Sequence, residues 1–180
     1  TRTSSSAASD VYKRQDFVGQ IIHPQEWNSS IDYENKKVAV IGSGATAVTL
    51  IPEIAKKASH VTMIQRSPTY IASVPSKYKI LHLLNYISPK LGYKIIRFTN
   101  ILRQRRIYRR AMRSPELVKD YLLSLVRDEL PGFDVEKHFT PSYNPWEQRL
   151  CLAPDSDFFE SINQKRVSVE TETIDSFSEK

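Results

Sequence analysis

Apolar residues change their spacing several times along this chain, and each change marks a different element. Val38-Ala39-Val40-Ile41 is a continuous apolar run, the pattern of a central parallel strand covered on both faces. Gly42-Ser43-Gly44-Ala45-Thr46-Ala47 follows without a gap. From Val48 to Lys57 the apolar residues Val48, Ile51, Ile54 and Ala55 recur at helical spacing, with Pro52 inside the pattern as an expected kink. His60–Gln65 returns to strand character, so Lys37–Arg66 reads as strand, glycine turn, helix, strand. Between 77 and 130 the residues Leu81, Leu83, Leu84, Ile87, Ile95, Ile96, Phe98, Ile101, Leu102, Ile107 and Tyr108 fall at largely helical intervals, broken at Ser88-Pro89. A further helix over Glu116–Leu130 is predicted, with Ser114 as its N-cap, Pro115 at its first position and Pro131-Gly132 as its stop. Leu150–Ala153 is a short apolar piece. Asp155–Ile162 reads as a short helix, and Arg166–Thr171 as a strand with Val167, Val169 and Thr171 alternating.

These elements predict an α/β, Rossmann-like domain with a parallel sheet and an inserted helical subdomain. Residues 1–15 are polar, Ser/Ala-rich and without period, and read as a disordered or non-native tail, the string SSAASDVYKRQ resembling translated adapter sequence. Residues 16–35 form a linker, with a turn at Asn28-Ser29-Ser30 and with Phe17, Ile21, Ile22 and Trp27 as expected core anchors. Residues 36–76 are the first half of the nucleotide unit, 77–139 the helical insertion, and 140–180 the return to the nucleotide unit, truncated. The chain begins without Met and stops at Lys180 without a capping or turn signal, which predicts a piece of a longer protein.

The glycine turn carries the chemistry. Its first glycine suits a tight turn, its second lets a pyrophosphate approach the backbone, and Ala47 at the third position lets helix and strand pack closely. Free N–H groups and the positive end of the helix dipole bind phosphate there. At the end of the second strand an NAD site places Asp or Glu. Here Arg66 and Ser67 stand instead, and no acid occurs between Glu53 and Glu116. A carboxylate repels a 2′-phosphate and a guanidinium binds it bidentately, so NADP(H) is the predicted cofactor.

Composition sharpens this picture in two ways. An apolar share of 40% supports a real core, no run of about 18 apolar residues is present, and a secretory leader has no support. The one cysteine, Cys151, excludes an intrachain disulfide, and four histidines without ligand spacing give no metal site; a cytoplasmic location suits both. The net charge of +6 is concentrated in the helical stretch, which carries Arg97, Arg103, Arg105, Arg106, Arg109, Arg110 and Arg113. That surface is either the solvated face of an ordinary subdomain, the favoured reading, or a peripheral contact with anionic membrane through Arg97–Arg113. No groove-reading or stacking motif accompanies the charge, so nucleic acid is not an expected partner.

Arg149 is the remaining oddity. It stands beside Leu150 and Cys151, which the pattern buries, and a buried cation needs an anion nearby. A structural carboxylate and an anionic cofactor or intermediate both satisfy that requirement.

Phe17-Val18-Gly19-Gln20-Ile21-Ile22-His23-Pro24-Gln25-Glu26-Trp27 has the form F-x-G-x-x-x-H-x-x-x-W. Together with IGSGATAVTL at 41–50, QRSPTYI at 65–71 and YNPWEQRLCLAP at 143–154, it resembles the class B flavin-dependent monooxygenases of the Baeyer–Villiger type. The resemblance covers residues 16–180. Asn28 departs from the Pro or Asp usual after the fingerprint. It implies a fragment of a flavoprotein with two dinucleotide folds, FAD held by the first, mostly outside this chain, and NADP(H) by the second. It further implies that NADPH reduces the flavin, that O₂ then yields a flavin peroxide anion, and that a ketone becomes an ester or a sulfur atom is oxygenated. By the same resemblance, Gly42, Ser43, Gly44, Ala45, Thr46, Ala47 and Val48 hold the pyrophosphate, and Gln65, Arg66 and Ser67 the adenosine ribose phosphate. Arg149 is the catalytic arginine that stabilises the peroxide. Phe17, Gly19, His23 and Trp27 form the hinge fingerprint, with His23 coupling domain movement to turnover. Gln148 stands where many relatives have Lys on the 2′-phosphate, implying weaker NADP(H) affinity. A plain NADP-dependent dehydrogenase or flavin reductase relative, and a basic membrane-peripheral module, are the alternatives.

Overall fold

The computed structural model describes residues 17–28, 30–76 and 88–177. Contacts divide the chain into two units, Tyr33–Thr171 and a smaller one formed by Thr1–Asp32 with Glu172–Lys180.

In the larger unit β1 (Lys37–Ile41), α1 (Ala45–Ile54) and β2 (His60–Gln65) follow the expected order. β1 and β2 pair in parallel with Lys37 opposite His60 and Ile41 opposite Ile64. β5 (Val167–Thr171) joins the other side of β2, also parallel, giving the strand order β1-β2-β5. Among the described strands the most apolar run is therefore an edge strand, not the central one expected. Val38 and Val40 are half-buried, and Lys37, Ala39 and Ile41 are exposed. β2 takes the central place, with Val61, Met63 and Gln65 buried on one face. The apolar pattern reports what a strand can bury; the number of its neighbours is set by pairing between distant segments.

α1 buries Val48, Ile51 and Ile54, each worth about 1.5–3 kcal/mol when removed from water. Pro52 sits in its last turn and offers no N–H to the carbonyl of Val48 one turn earlier. A strand absent from the sequence reading, β3 (Tyr70–Val74), pairs in parallel with β4 (Leu150–Pro154) as a separate two-stranded sheet.

Between β3 and β4 come α2 (Pro89–Arg113), α3 (Pro115–Glu129) and α4 (Val135–Phe139). The periodic residues Leu81, Leu83, Leu84 and Ile87 lie outside the described residues. Ser88 is not merely a break: its hydroxyl caps α2 by accepting from the Leu91 N–H, with Pro89 at the first position. Ser114, the expected cap of α3, makes no side-chain cap bond. It closes α2 instead, its N–H donating to the Arg110 carbonyl at 2.8 Å. α3 packs on β3 and α4 on β5, and Phe139 of α4 meets Phe158 and Phe159 of α5 (Asp157–Asn163) edge-on at 6.3 and 6.1 Å. α5 starts two residues later than expected. Asp155 and Ser156 hold positive φ (50° and 60°), and the Asp155 carboxylate accepts from the Ser76 N–H at 2.8 Å, so this pair turns the chain instead of starting a helix.

In the smaller unit His23 caps a single 3₁₀ turn, Pro24–Glu26, its Nδ1 accepting from the Gln25 N–H. The Asn28 side chain accepts from the Ser30 N–H at 2.9 Å, which makes the expected turn. Phe17 stacks edge-on to Phe177 at 6.1 Å and covers Gly19 so closely that a Cβ there would lie 2.3 Å from its ring. Phe17, Ile21 and Trp27 are exposed rather than core anchors, because this unit is too small to enclose them.

Candidate functional site

The site is built where β1 and β2 end. Parallel strands leave a sheet at the same edge, and the Gly42 N–H extends the ladder by donating to the Ile64 carbonyl at 2.8 Å. The glycine turn and the segment Gln65–Ser67 therefore emerge side by side at the carboxyl edge, the place where open α/β sheets take ligands.

Gly42 has φ +118°, which a side chain resists. Gly44 is the N-cap of α1 in extended conformation, and no side chain caps the helix. A Cβ built on either glycine meets nothing within 4 Å, so the space above the turn is open to a ligand. The first N–H groups of a helix lack intrahelical partners, which leaves those of Ala45, Thr46 and Ala47 pointing into that space. Val48 does not belong with them: its N–H is bonded to the Gly44 carbonyl at 3.1 Å and its side chain is fully buried. Ala47 is buried, as close packing of helix on strand requires, while Ala45 and Thr46 are exposed.

Arg66 and Ser67 are exposed beside this turn. Gln65 is not. Its side chain turns inward and donates to the His138 carbonyl at 2.7 Å and to Thr171 Oγ1 at 2.9 Å, so the expected contact of Gln65 with a ribose phosphate is corrected to a buried, supporting one. The β2 alternation already places residue 65 on the face of Val61 and Met63; the periodicity was the available signal.

Ser43 is buried between the glycines. Its hydroxyl lies 3.4 Å from Thr69 Oγ1, and its carbonyl accepts from the Cys151 thiol at 3.6 Å. Thr69 in turn lies 3.5 Å from the Tyr143 hydroxyl, which donates to the Arg149 carbonyl at 3.0 Å. Tyr70 donates to the Tyr143 carbonyl at 2.7 Å with the rings edge-on at 5.5 Å. Burial, followed by nearby Tyr143, Glu116 and Glu147, pushes the Tyr70 phenol up to about 12. Burial also pushes the Cys151 thiol up, against the pull of the neighbouring Arg149. This chain of contacts joins the turn to Arg149, and none of Thr69, Tyr70 or Tyr143 was singled out from sequence. Arg149 itself is exposed, correcting the expected buried cation: it lies just before β4, where the inward alternation of Cys151 and Ala153 has not begun. Gln148 is exposed beside it.

Residues 11–109, more than half of the chain, match the model of the flavin-binding monooxygenase-like family. The chain belongs to that family. This agrees with the resemblance read from the fingerprint. The FAD-containing monooxygenase EthA of Mycobacterium tuberculosis is 50% identical over 167 residues, 91% of this chain and 34% of that protein. The probable FAD-binding monooxygenase AlmA of Acinetobacter baylyi is 49% identical over 172 residues, 94% of this chain and 34% of the relative. The chain thus spans about a third of the length of these monooxygenases. In fold it is similar to a steroid monooxygenase bound to NADP (TM-score 0.64, 18% identity, 86% of this chain and 36% of that one). It is likewise similar to the cyclohexanone monooxygenase of Rhodococcus sp. Phi1 bound to NADP⁺ (TM-score 0.60, 19% identity, 87% and 36%).

Proposed function

We propose that this chain is the NADP(H)-binding part of an NADPH- and FAD-dependent monooxygenase that inserts one atom of O₂ into ketones, giving esters, or onto sulfur. The observation that carries the reading is the uncapped start of α1 above two open glycines, with Arg66 leaving the sheet beside it. This fits a dinucleotide phosphate: three N–H donors for the pyrophosphate and a guanidinium for the 2′-phosphate. Gly42, Ser43, Gly44, Ala45, Thr46 and Ala47 hold the former, Arg66 and Ser67 the latter. When bound, NADPH supplies the hydride, and FAD, held mostly by residues outside this chain, supplies the oxygen chemistry. Arg149 offers an exposed cation for an anion that develops in the reaction, its main chain fixed by Tyr143. Phe17, Gly19, His23 and Trp27 are read as the hinge, within a linker at 16–35. Residues 36–76 and 140–180 form the two parts of the NADP-binding domain around the helical insertion at 77–139. The enzyme is read as cytoplasmic.

The full-length protein, supplied with NADPH, ¹⁸O₂ and a panel of cyclic ketones and thioethers, is expected to give labelled lactones or sulfoxides. NADPH oxidation without any oxygenated product would favour a reductase or dehydrogenase relative instead.

A second reading concerns α2. Lys90 and Lys94 join its seven arginines with no acidic residue in the helix, and Leu91, Ile95 and Phe98, at i, i+4 and i+7, are exposed. Cations beside an apolar ridge suit peripheral contact with an anionic membrane. Salt-sensitive cosedimentation of the full-length protein with phosphatidylglycerol vesicles, absent with phosphatidylcholine alone, supports it; no binding to either removes it.

A further inference from the structure

Gln65 is the last residue of β2, directly before Arg66, and it is 2% exposed. Its Nε2 donates to both the His138 carbonyl and Thr171 Oγ1. The amide orientation is settled by chemistry, because a main-chain carbonyl only accepts and must face the nitrogen. Thr171 Oγ1 also lies 2.8 Å from His138 Nδ1, so hydroxyl, imidazole and amide are joined at one point. The Gln65 Oε1 is then left buried with no hydrogen-bond partner among the described residues.

The unpaired acceptor is a cost, set against the two hydrogen bonds that the same amide donates. What the amide does is join three segments at one point. These are the end of β2, the helix α4 of the insertion through His138, and the end of β5 through Thr171, which lies opposite Gln65 in the ladder. The residue that leaves this knot is Arg66. With its predecessor fixed on two sides, the guanidinium starts from a defined height above the glycine turn.

We propose that Gln65, with Thr171 and His138, is a positioning residue that sets where Arg66 meets the 2′-phosphate, and so sets the preference for NADP(H) over NAD(H). The proposal rests on the reading of Arg66 given above. NAD(H) lacks the 2′-phosphate, so loosening the knot weakens binding of NADP(H) alone.

The test is calorimetric titration of full-length protein with NADP⁺ and with NAD⁺, which needs no turnover. Gln65→Met and Thr171→Val are expected to raise the NADP⁺ dissociation constant by about 10-fold or more, as small displacements of binding groups do, and to leave that for NAD⁺ unchanged. Thr171→Ser, which keeps the hydroxyl, is expected to restore tight NADP⁺ binding. Equal weakening of both nucleotides, or of neither, would overturn the positioning role while Arg66→Ala still abolished the preference. An Arg66→Ala protein that kept its preference for NADP⁺ would overturn the reading of Arg66 and the proposal with it.

Discussion

The thiol of Cys151, in β4, lies 3.6 Å from the carbonyl of Ser43, in the middle of the glycine turn. The two are 108 residues apart in sequence, and their contact fastens the second sheet to the glycine turn of the first. Cys151 is buried there, and its ionisation is pushed up chiefly by that burial. Iodoacetamide is expected to leave the folded protein unmodified at Cys151 at mildly alkaline pH and to alkylate it after unfolding in urea. Rapid labelling of the native protein would show that β4 does not stay against the turn.

Gly42 and Gly44 are required for different reasons. Gly42 holds φ +118° in open space, so Gly42→Ala is strained through the backbone alone, costing about 1–3 kcal/mol in a urea titration. Gly44 is extended and equally open, so Gly44→Ala is expected to shift stability by only about 0.5 kcal/mol while placing a methyl where the proposed pyrophosphate site lies. Its NADP⁺ affinity should fall far more than its melting temperature.

Tyr70 ties the core to the segment that carries Arg149. Its phenol is raised from 10.0 to about 12, so the unfolded chain releases this proton first as pH rises. The stability contribution is complete below about pH 10 and is lost between about 10 and 12. Unfolding midpoints measured across that window should fall for the parent protein, and Tyr70→Phe should remove that part of the decline.

The edge-to-face cluster of Phe139, Phe158 and Phe159 joins the helical insertion to the nucleotide unit. Phe139→Ala is expected to destabilise by about 3–5 kcal/mol, and Phe139→Leu by less. If the helices folded independently, the alanine variant would instead show two separate unfolding transitions.

Arg149→Ala in the full-length enzyme is expected to lower oxygenated product by roughly 100-fold or more, the scale of losing one preorganised charge, while NADPH still reduces the flavin. Stopped-flow flavin reduction beside product analysis separates the two steps. Ester formation at the parent rate would remove Arg149 from the chemistry.

Much of the nucleotide unit was legible because its signals are local. The glycine at 42 answers a backbone need, the apolar positions of α1 repeat within one helix, and β2 ends where its alternation ends, so β1 and β2 appear at the residues expected, while α1 starts and ends three residues before Val48 and Lys57, because the glycine turn feeds straight into it. β3 was missed because Tyr70–Val74 follows a turn without a break in pattern and finds its partner 80 residues later in β4. The fingerprint was legible as a motif, whereas the exposure of its aromatic residues follows from the small size of their unit.

Sequence by itself determined the strand, glycine turn and helix start that make the candidate site, and the family, since both rest on residue types at fixed short spacing. Only the tertiary structure decided that β1 is an edge, that Arg149 is exposed, and that Gln65 faces inward to His138 and Thr171 while Arg66 faces out. Those outcomes depend on which distant segments meet, and hydrogen bonds between residues 73 and 106 positions apart leave no trace in local spacing.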